Sequence, residues 1–268
     1  SEQKLENTVY LIFQPGEETG QGGKICRELI PQEGIQEIYA FHNLPGYPEG
    51  HLVYREGLTQ PASEGLRICL EGKTSHASAP EEGRNPAKAL ARIALYSEEL
   101  IRKPASGMLL CTITGIELGN GDFGISPGCG EISLTLRAEQ EKGMDRLEKA
   151  LLAFAEAEAK EGGLTLSSEI RDRFPETRND EACLARVISA AKALGVPARP
   201  MPKLWRASED FGWYLTKVPG MIFRFGTKNE ALGCTATAHR NDFRIDEEGM
   251  KTAIAAFCTY VMNYKPGE

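Results

Sequence analysis

Two adjacent carboxylates, Glu17 and Glu18, are the residues whose placement most clearly suggests chemistry. They follow five consecutive apolar residues, Val9 to Phe13, and a Pro-Gly pair. That run has the length and the β-branched and aromatic content of a buried strand, which the Pro-Gly pair would end. Ligand sites in open α/β sheets collect beyond the carboxyl ends of strands, where one carboxylate can bind a metal while the other polarises a water held on it. A solvated acidic turn is the alternative, and it is the commoner meaning of a random Glu-Glu pair.

Histidines are the second group with metal-binding chemistry. The sequence holds four, His42, His51, His76 and His239, and three of them lie in predicted loops or at strand ends beside glycine and proline. Imidazole nitrogen and carboxylate oxygen are the usual ligands of Zn²⁺ and related divalent ions. Spacing this long is not diagnostic by itself, and a lone histidine is more often an ordinary polar residue. His51 is assigned to the surface.

The elements that would position these residues belong to two stretches, 1–61 and 171–268, which we assign to one α/β domain. His42 ends a predicted strand over 35–42, the same kind of position as that of the glutamate pair. Ser208 is predicted to cap a short helix, and His239 lies in a loop. The other predicted elements are a helix over 22–30, strands over 52–54 and 221–225, the second ending at Gly226, and helices over 181–194 and 246–264.

The order of predicted elements over residues 62–170 differs from that of the flanking stretches and predicts an inserted domain. Asn85 and Pro86 favour the start of a helix, as cap and first-turn residue. The predicted elements are strands over 66–70, 108–118, 132–137 and 164–170, and helices over 86–101 and 144–160. Their order, βαββαβ, is that of a ferredoxin-like unit, in which two helices cover one face of a compact sheet.

Composition restricts the class of protein. With 41 % apolar and 26 % charged residues, the chain of 268 residues is typical of globular proteins and long enough for two domains. A net charge of −7 argues against nucleic acid or an anionic membrane as the main partner. No apolar run approaches the roughly 18 residues of a membrane span. The seven cysteines are scattered, with no C-x-x-C, so we expect reduced thiols and a cytoplasmic location.

Five motifs follow one another along the chain: FQPGEE, FHNLP, GKTSHASAP, SEDF with a later VPG, and AHRNDFRIDEE. Together they resemble the clan MH zinc metallopeptidases, and most of all the amidohydrolases of N-acyl amino acids, such as hippurate hydrolase, indole-acetyl-amino-acid hydrolase, aminoacylase and carboxypeptidase G. The resemblance covers nearly the whole chain. It implies a catalytic mixed sheet flanked by helices, with the βαββαβ unit as a lid. It also implies a divalent metal, zinc before manganese, cobalt or nickel, an N-acyl amino acid or small peptide as substrate, and a homodimer formed through the lid.

The resemblance also implies a role for each matching residue. Glu17 corresponds to the general base, which takes a proton from a metal-bound water and passes it to the leaving amine. Glu18, His42 and His239 correspond to metal ligands. His76, in the lid, corresponds to the histidine that steadies the substrate carbonyl oxygen, and in dimeric relatives it reaches the partner's site.

Glu209 and Asn120 are the candidate substrate-binding residues. Glu209 belongs to the SEDF motif near the site, where a structural cap by Ser208 and a supporting role for Glu209 are equally open. Relatives carry an asparagine after the middle strands of the lid, at a position where this chain has Gly124. Asn120 is close enough in sequence to replace it.

The sequence departs from the family in one respect. Family members carry a further lobe before the FQP-EE strand, and the sequence has no counterpart of it, which leaves a gap in the resemblance. That lobe holds an aspartate and a Cys-x-His pair that complete a two-metal site, and Glu18, His42 and His239 normally serve both metals. A truncated or proteolysed chain, or one subunit of a split enzyme, would explain the gap. We therefore expect this chain alone to bind metal weakly or not at all and to have little amidase activity.

Two other functions compete with amide hydrolysis. The chain could be a non-catalytic regulatory or interaction protein derived from the family, with the lid kept as a dimerisation module. It could also be a generic α/β protein whose histidines are incidental, although five ordered motifs would then coincide by chance.

Overall fold

A computed structural model describes residues 5, 7–102 and 107–264. Its helices are α1 (Gly22–Cys26), α2 (Leu29–Glu33), α3 (Ala87–Arg102), α4 (Glu141–Gly162), α5 (Glu181–Ala193), α6 (Gly212–Leu215) and α7 (Glu248–Asn263). Its strands are β1 (Ile38–Pro48), β2 (Leu52–Tyr54), β3 (Gly57–Gln60), β4 (Ala62–Glu71), β5 (Ser75–His76), β6 (Leu109–Leu118), β7 (Ile125–Ser126), β8 (Cys129–Ala138), β9 (Thr165–Phe174), β10 (Thr177–Asn179), β11 (Ala198–Pro200) and β12 (Gly220–Lys228). Two 3-10 turns lie at Glu17–Thr19 and Pro80–Glu82.

The first sheet is mixed and has the order β1-β12-β2-β11. β1 runs parallel to β12, while β2 runs antiparallel to β12. Side chains alternate between the two faces of a strand. On one face, Met221, Phe223 and Phe225 of β12 pack against α5 and α7. On the other face, Ile222 packs against Phe211 and Tyr214. His42 pairs with Arg224 and lies on the Ile222 face.

The second sheet is antiparallel throughout and has the order β6-β8-β4-β9. Helices α3 and α4 cover one face of it, and their core includes Leu66, Ile68, Leu90 and Ile132, each at most 2 % exposed. Burying each such side chain stabilises the fold by about 1.5–3 kcal/mol. This sheet is the predicted βαββαβ unit, so the predicted fold class, a mixed sheet with an inserted ferredoxin-like unit, is confirmed. The division into domains at residues 62 and 170 stays a prediction, and β9 continues to Phe174.

The two sheets are joined by a short antiparallel pair, β3 and β10, in which Thr177 faces Gln60. Both residues are at most 1 % exposed. All seven cysteines carry free thiols. Among the helices of the described ranges, none combines the length and the hydropathy needed to cross a bilayer.

The predicted strand over 9–13 is wrong. These residues form no strand, and Leu11 and Phe13 are 75 % and 90 % exposed. An apolar run becomes a buried strand only where neighbouring strands satisfy its backbone and cover its side chains. In the described part of the chain, β1 is an edge strand that pairs only with β12, so this run has no neighbour.

Other boundaries also differ from the predicted ones. β1 continues beyond His42 to Pro48, because its parallel pairing with β12 runs through Leu44 and resumes at Pro48, and an edge strand tolerates proline. His42 therefore lies inside a strand, not at its end. β12 likewise passes through Gly226. The predicted helix over 22–30 is divided into α1 and α2.

Ser208 does not cap a helix, which corrects that prediction. α6 begins at Gly212, with Phe211 at its cap position. The hydroxyl of Ser208 instead lies 2.5 Å from the hydroxyl of Ser63 on β4. This contact links the loop before α6 to the start of the second sheet.

Candidate active site

Three carboxyl groups gather where the turn after Pro15 meets the loop before α6. One oxygen from each of Glu17, Glu209 and Asp210 lies within 4.8 Å of the other two, and we call these three residues the acidic site. Glu17 is half-buried, whereas Glu209 and Asp210 are 6 % and 1 % exposed. The sequence predicted roles for Glu17 and Glu209 but missed Asp210, although it is the next residue of the SEDF motif.

The turn that carries Glu17 depends on Gly16. Gly16 has a φ of 63°, a left-handed conformation that glycine adopts without strain. The 3-10 turn that follows leaves Glu17 half-buried and Glu18 exposed. Neighbouring carboxylates therefore have different environments, as their separate predicted roles require.

Asp210 is held in place by three donated hydrogen bonds. Gln14 Nε2 donates to both of its carboxylate oxygens, at 2.8 and 2.9 Å, and the backbone N–H of Gly23 donates at 2.7 Å. The Gln14 amide is oriented by Tyr214, whose hydroxyl donates to Gln14 Oε1 at 2.6 Å. Burial raises the pKa of Asp210, and the Gly23 and Gln14 bonds oppose that rise. A side chain at position 23 would collide with Asp210, since a Cβ there would lie 2.5 Å from its carbonyl oxygen.

Glu209 is buried beside the only strongly buried arginine of the first sheet among the described residues, Arg224. Burial raises the pKa of Glu209, and the positive charge of Arg224 opposes that rise. The backbone N–H of Phe211 also donates to Glu209 Oε1, at 3.4 Å. Glu209 lies below the surface, and its predicted contact with substrate stays a prediction.

Glu17 is the most perturbed member of the acidic site. Its burial, followed by the negative charges of Glu209, Asp210 and Glu18, raises its pKa to about 7. A carboxylate with such a pKa is a competent proton acceptor and donor near neutral pH. This environment fits the predicted general base.

His42 is exposed on β1, and its ring meets the Trp205 ring edge-on at 6.0 Å. His42 Nδ1 lies 2.7 Å from the carbonyl oxygen of Asn43. Because a carbonyl oxygen only accepts, Nδ1 carries the proton and the lone pair of Nε2 is available to a metal.

His76 has the opposite tautomer. The backbone N–H of Ser78 donates to His76 Nδ1 at 3.1 Å, and the Ser78 hydroxyl lies 2.8 Å from the same nitrogen. Since Nδ1 accepts, the proton of the neutral ring is on Nε2, from which it can be donated to an oxygen. The strand pair β5–β7 positions this histidine, with His76 opposite Ile125.

The other predicted site residues are all exposed. Glu18 follows Glu17 in the 3-10 turn, and His239 lies in the loop before α7 with a φ of 64°. Asn120 lies after β6 and accepts a weak hydrogen bond from the Asp122 N–H at 3.4 Å. Within the described residues, Glu18, His42 and His239 belong to no group of three ligand atoms as close as the acidic site. A two-metal site divides its ligands between ions and does not require such a group.

The donor chemistry of these residues fits a divalent metal. One carboxylate and two imidazoles form a usual zinc set, and the free lone pair of His42 Nε2 supports its assignment as a ligand. The three carboxylates of the acidic site would suit harder ions such as Mn²⁺. The predicted ligand roles of Glu18, His42 and His239 stay predictions.

Comparison with known proteins shows which family the chain matches. The model of peptidase family M20/M25/M40 matches residues 1–263. Thermostable carboxypeptidase 2 of Saccharolobus solfataricus is 27 % identical, with 97 % of this chain and 67 % of that protein covered. N-acetylcysteine deacetylase of Bacillus subtilis is also 27 % identical, with 95 % and 66 % covered. The crystal structure of the Bacillus subtilis YXEP protein, a dinuclear metal binding peptidase, has a TM-score of 0.77 at 24 % identity, with 96 % and 65 % covered. The chain thus spans about two thirds of the length of these relatives.

Proposed function

Because the chain belongs to peptidase family M20/M25/M40, we propose that it acts in metal-dependent hydrolysis of the amide bond of N-acyl amino acids or small peptides. A divalent metal is implied by the family, which includes a dinuclear metal binding peptidase. The relatives named for this chemistry are a carboxypeptidase and a deacetylase of N-acetylcysteine. N-acetylcysteine, the compound in the second name, carries an amide bond next to a free carboxylate.

The observation that carries the proposal is the placement of Glu17. It lies at the surface edge of a buried acidic group, within 4.8 Å of Glu209 and Asp210. Both neighbours are fixed by hydrogen bonds from the backbone, and Asp210 also by Gln14. Glu17 is therefore a half-buried carboxylate beside two hydrogen-bonded carboxyl groups, and a general base needs such a defined position.

Two residues of this chain supply the proton chemistry. Glu17 takes a proton from the attacking water and returns it to the amine as the amide bond breaks. His76 donates its Nε2 proton in a hydrogen bond to the carbonyl oxygen as negative charge develops there. The tautomer set by Ser78 supports this role, because only a protonated Nε2 can donate.

Glu18, His42 and His239 would hold the metal, with zinc as the first candidate. When bound, the metal supplies Lewis acidity toward the carbonyl and the attacking water. All three proposed ligands are exposed, and exposed ligands without a rigid support hold an ion less firmly than a closed set. We therefore propose weak metal binding and slow turnover for this chain on its own.

Substrate is proposed to bind beside the loop that carries Asn120. This loop is tied to the histidine segment, since the N–H of Ala77 donates to the carbonyl oxygen of Gly124 at 3.0 Å. The side chain of Asn120 is exposed, and its NH2 group can donate to a carboxylate or carbonyl oxygen of the substrate. Asn120→Ala should raise KM more than it lowers kcat.

A homodimer through the second sheet is part of the proposal. Its outer strands β6 and β9 have one unpaired edge each in the described structure, and such an edge pairs readily with another strand. Sedimentation velocity at micromolar concentration should show a dimer. A monomer at all concentrations would contradict this part of the proposal.

The function is tested by incubating the purified chain with Zn²⁺ or Mn²⁺ and a panel of N-acetyl and N-benzoyl amino acids. Release of the free amino acid is measured by liquid chromatography and mass spectrometry. We expect slow release from substrates with a free carboxylate and none from their methyl amides. Absence of release from the whole panel, together with a metal-free dimer by native mass spectrometry, would favour the non-catalytic alternative.

A further inference from the structure

The loop that carries Glu209 and Asp210 has little backbone support of its own. Residues 203–211, which we call the acidic-site loop, contain no helix or strand. Toward its beginning, the N–H of Trp205 donates to the carbonyl oxygen of Thr59 at 3.2 Å. A loop this irregular requires side-chain contacts to keep two carboxylates in fixed positions.

Arg224 of β12 reaches this loop at two places. Its guanidinium stacks over the Trp205 ring, with the central carbon 4.2 Å from the ring centroid. Its Nη2 donates to Gln60 Oε1 at 2.7 Å, and Gln60 Nε2 in turn donates to the carbonyl oxygen of Ser208 at 3.2 Å. One arginine thus supports both Trp205 and the residue before Glu209.

The environment of Arg224 is costly, which argues against incidental packing. Its side chain is 1 % exposed, its Nε has no hydrogen-bond acceptor, and burial lowers its pKa to about 10. Burying a charge without full compensation destabilises a fold. The stacking with Trp205 and the charge of nearby Glu209 offset part of that cost.

The contact with Trp205 also extends to His42. Arg224 and His42 are paired residues on adjacent parallel strands, and the Trp205 ring contacts both side chains. Trp205 therefore packs where a predicted metal ligand and the support of the acidic site meet.

We propose that Arg224 is a positioning residue, which holds the acidic-site loop through Trp205 and Gln60 so that Glu209 and Asp210 lie against Glu17. Because its side chain is 1 % exposed, it acts on the site through these two residues. Its consequence for hydrolysis rests on the proposed function, but the ordering of the loop does not. The two can therefore be tested separately.

Hydrogen exchange tests the ordering directly, and no activity is needed. In Arg224→Gln we expect the Trp205 and Phe211 amides to exchange at least about tenfold faster, because local opening becomes easier. Arg224→Lys keeps the charge but loses the planar stack and should restore only part of the protection. Arg240→Gln, at an exposed arginine paired with Asp242, is the matched control and should change nothing in this loop.

Trp205→Leu is the second variant, in case Arg224→Gln does not fold. It removes the stacking partner from a partly exposed position and should also speed exchange in the loop. Unchanged exchange in residues 203–211 of either folded variant would overturn the proposal. Where the wild-type chain hydrolyses its substrate, Arg224→Lys should lower kcat and leave KM within about twofold. If the wild-type chain hydrolyses no substrate, the proposed function is refuted, but the role of Arg224 in ordering the loop is not.

Discussion

Two acidic clusters among the described residues differ in one respect, whether an arginine forms ion pairs with their carboxylates. In the acidic site, no described arginine or lysine forms an ion pair with Glu17, Glu209 or Asp210, and the buried Arg224 acts on Glu209 through its charge. In the second sheet, Arg173 forms ion pairs at 2.8 to 3.1 Å with four carboxylates, those of Glu64, Glu141, Asp145 and Glu148. We call this second group the arginine cluster.

The pKa of one glutamate is raised to about 7 in each cluster, but the charges involved differ. Burial is the main cause for both Glu17 and Glu64. Around Glu17 every neighbouring charge adds to the rise, whereas Arg173 opposes it at Glu64. A cluster whose carboxylates pair directly with an arginine is suited to holding a fold together, while a cluster without such ion pairs is suited to moving a proton or attracting a cation.

The largest expected effect comes from removing the arginine of the second cluster. Arg173→Leu leaves four carboxylates without a partner, one of them with a fully buried side chain. We expect the free energy of unfolding to fall by about 3–5 kcal/mol, measured by urea denaturation at pH 7. Glu156→Gln on the exposed side of α4 is a control that should change stability by less than about 0.5 kcal/mol. A loss below about 1 kcal/mol for Arg173→Leu would contradict the structural role of the arginine cluster.

A smaller effect is expected in the pH dependence of stability, and it concerns Glu64 of the arginine cluster. The raised pKa of Glu64 means that its contribution to stability is fully present below the unfolded value of 4.5 and is lost as pH rises through about 7. Glu64→Gln cannot ionise, so the variant should gain on wild type as pH increases. We expect no gain at pH 4 and a gain on the order of 1–3 kcal/mol at pH 8.5, measured by urea denaturation. Parallel curves for the two proteins would contradict the assignment.

Divalent cations should distinguish the clusters by the smallest effect. At about ten times its dissociation constant, a bound ion stabilises the folded chain by about 1.4 kcal/mol. Mn²⁺ or Zn²⁺ should raise the melting temperature by an amount that corresponds to this free energy. Glu18→Gln, at the proposed metal ligand next to the acidic site, should reduce the rise, and Asp145→Asn should leave it unchanged. If Asp145→Asn abolished the rise instead, the cation would bind in the arginine cluster. That result would contradict the proposed difference between the two clusters.

How far the sequence could lead differs between the two sheets. The βαββαβ unit was predicted because each of its strands and helices carries its own periodic pattern, and local patterns are what a sequence displays best. The strand over 9–13 failed for the opposite reason. Its apolar pattern is real, but burial of Leu11 and Phe13 depends on neighbouring strands that the described residues do not supply.

The candidate site was predicted in its residue types and not in its arrangement. Motif order pointed to Glu17 and Glu209, but only the folded chain brings them together across nearly two hundred residues of sequence. Asp210 and Arg224 were missed, since a buried aspartate and a buried arginine are recognised by their partners and not by spacing. The histidine tautomers likewise depend on Asn43 and Ser78, whose contacts no pattern displays.

Turnover by Glu17→Gln is the measurement that tests the central claim most directly. The substitution keeps the shape of the side chain and removes its ability to accept a proton. With Mn²⁺ or Zn²⁺ present, we expect release of free amino acid from an N-acyl amino acid to fall by about 10²–10⁴ relative to the wild-type chain, while metal content by mass spectrometry and the melting temperature stay unchanged. Equal rates for the variant and the wild type would contradict the assignment of Glu17 as the general base.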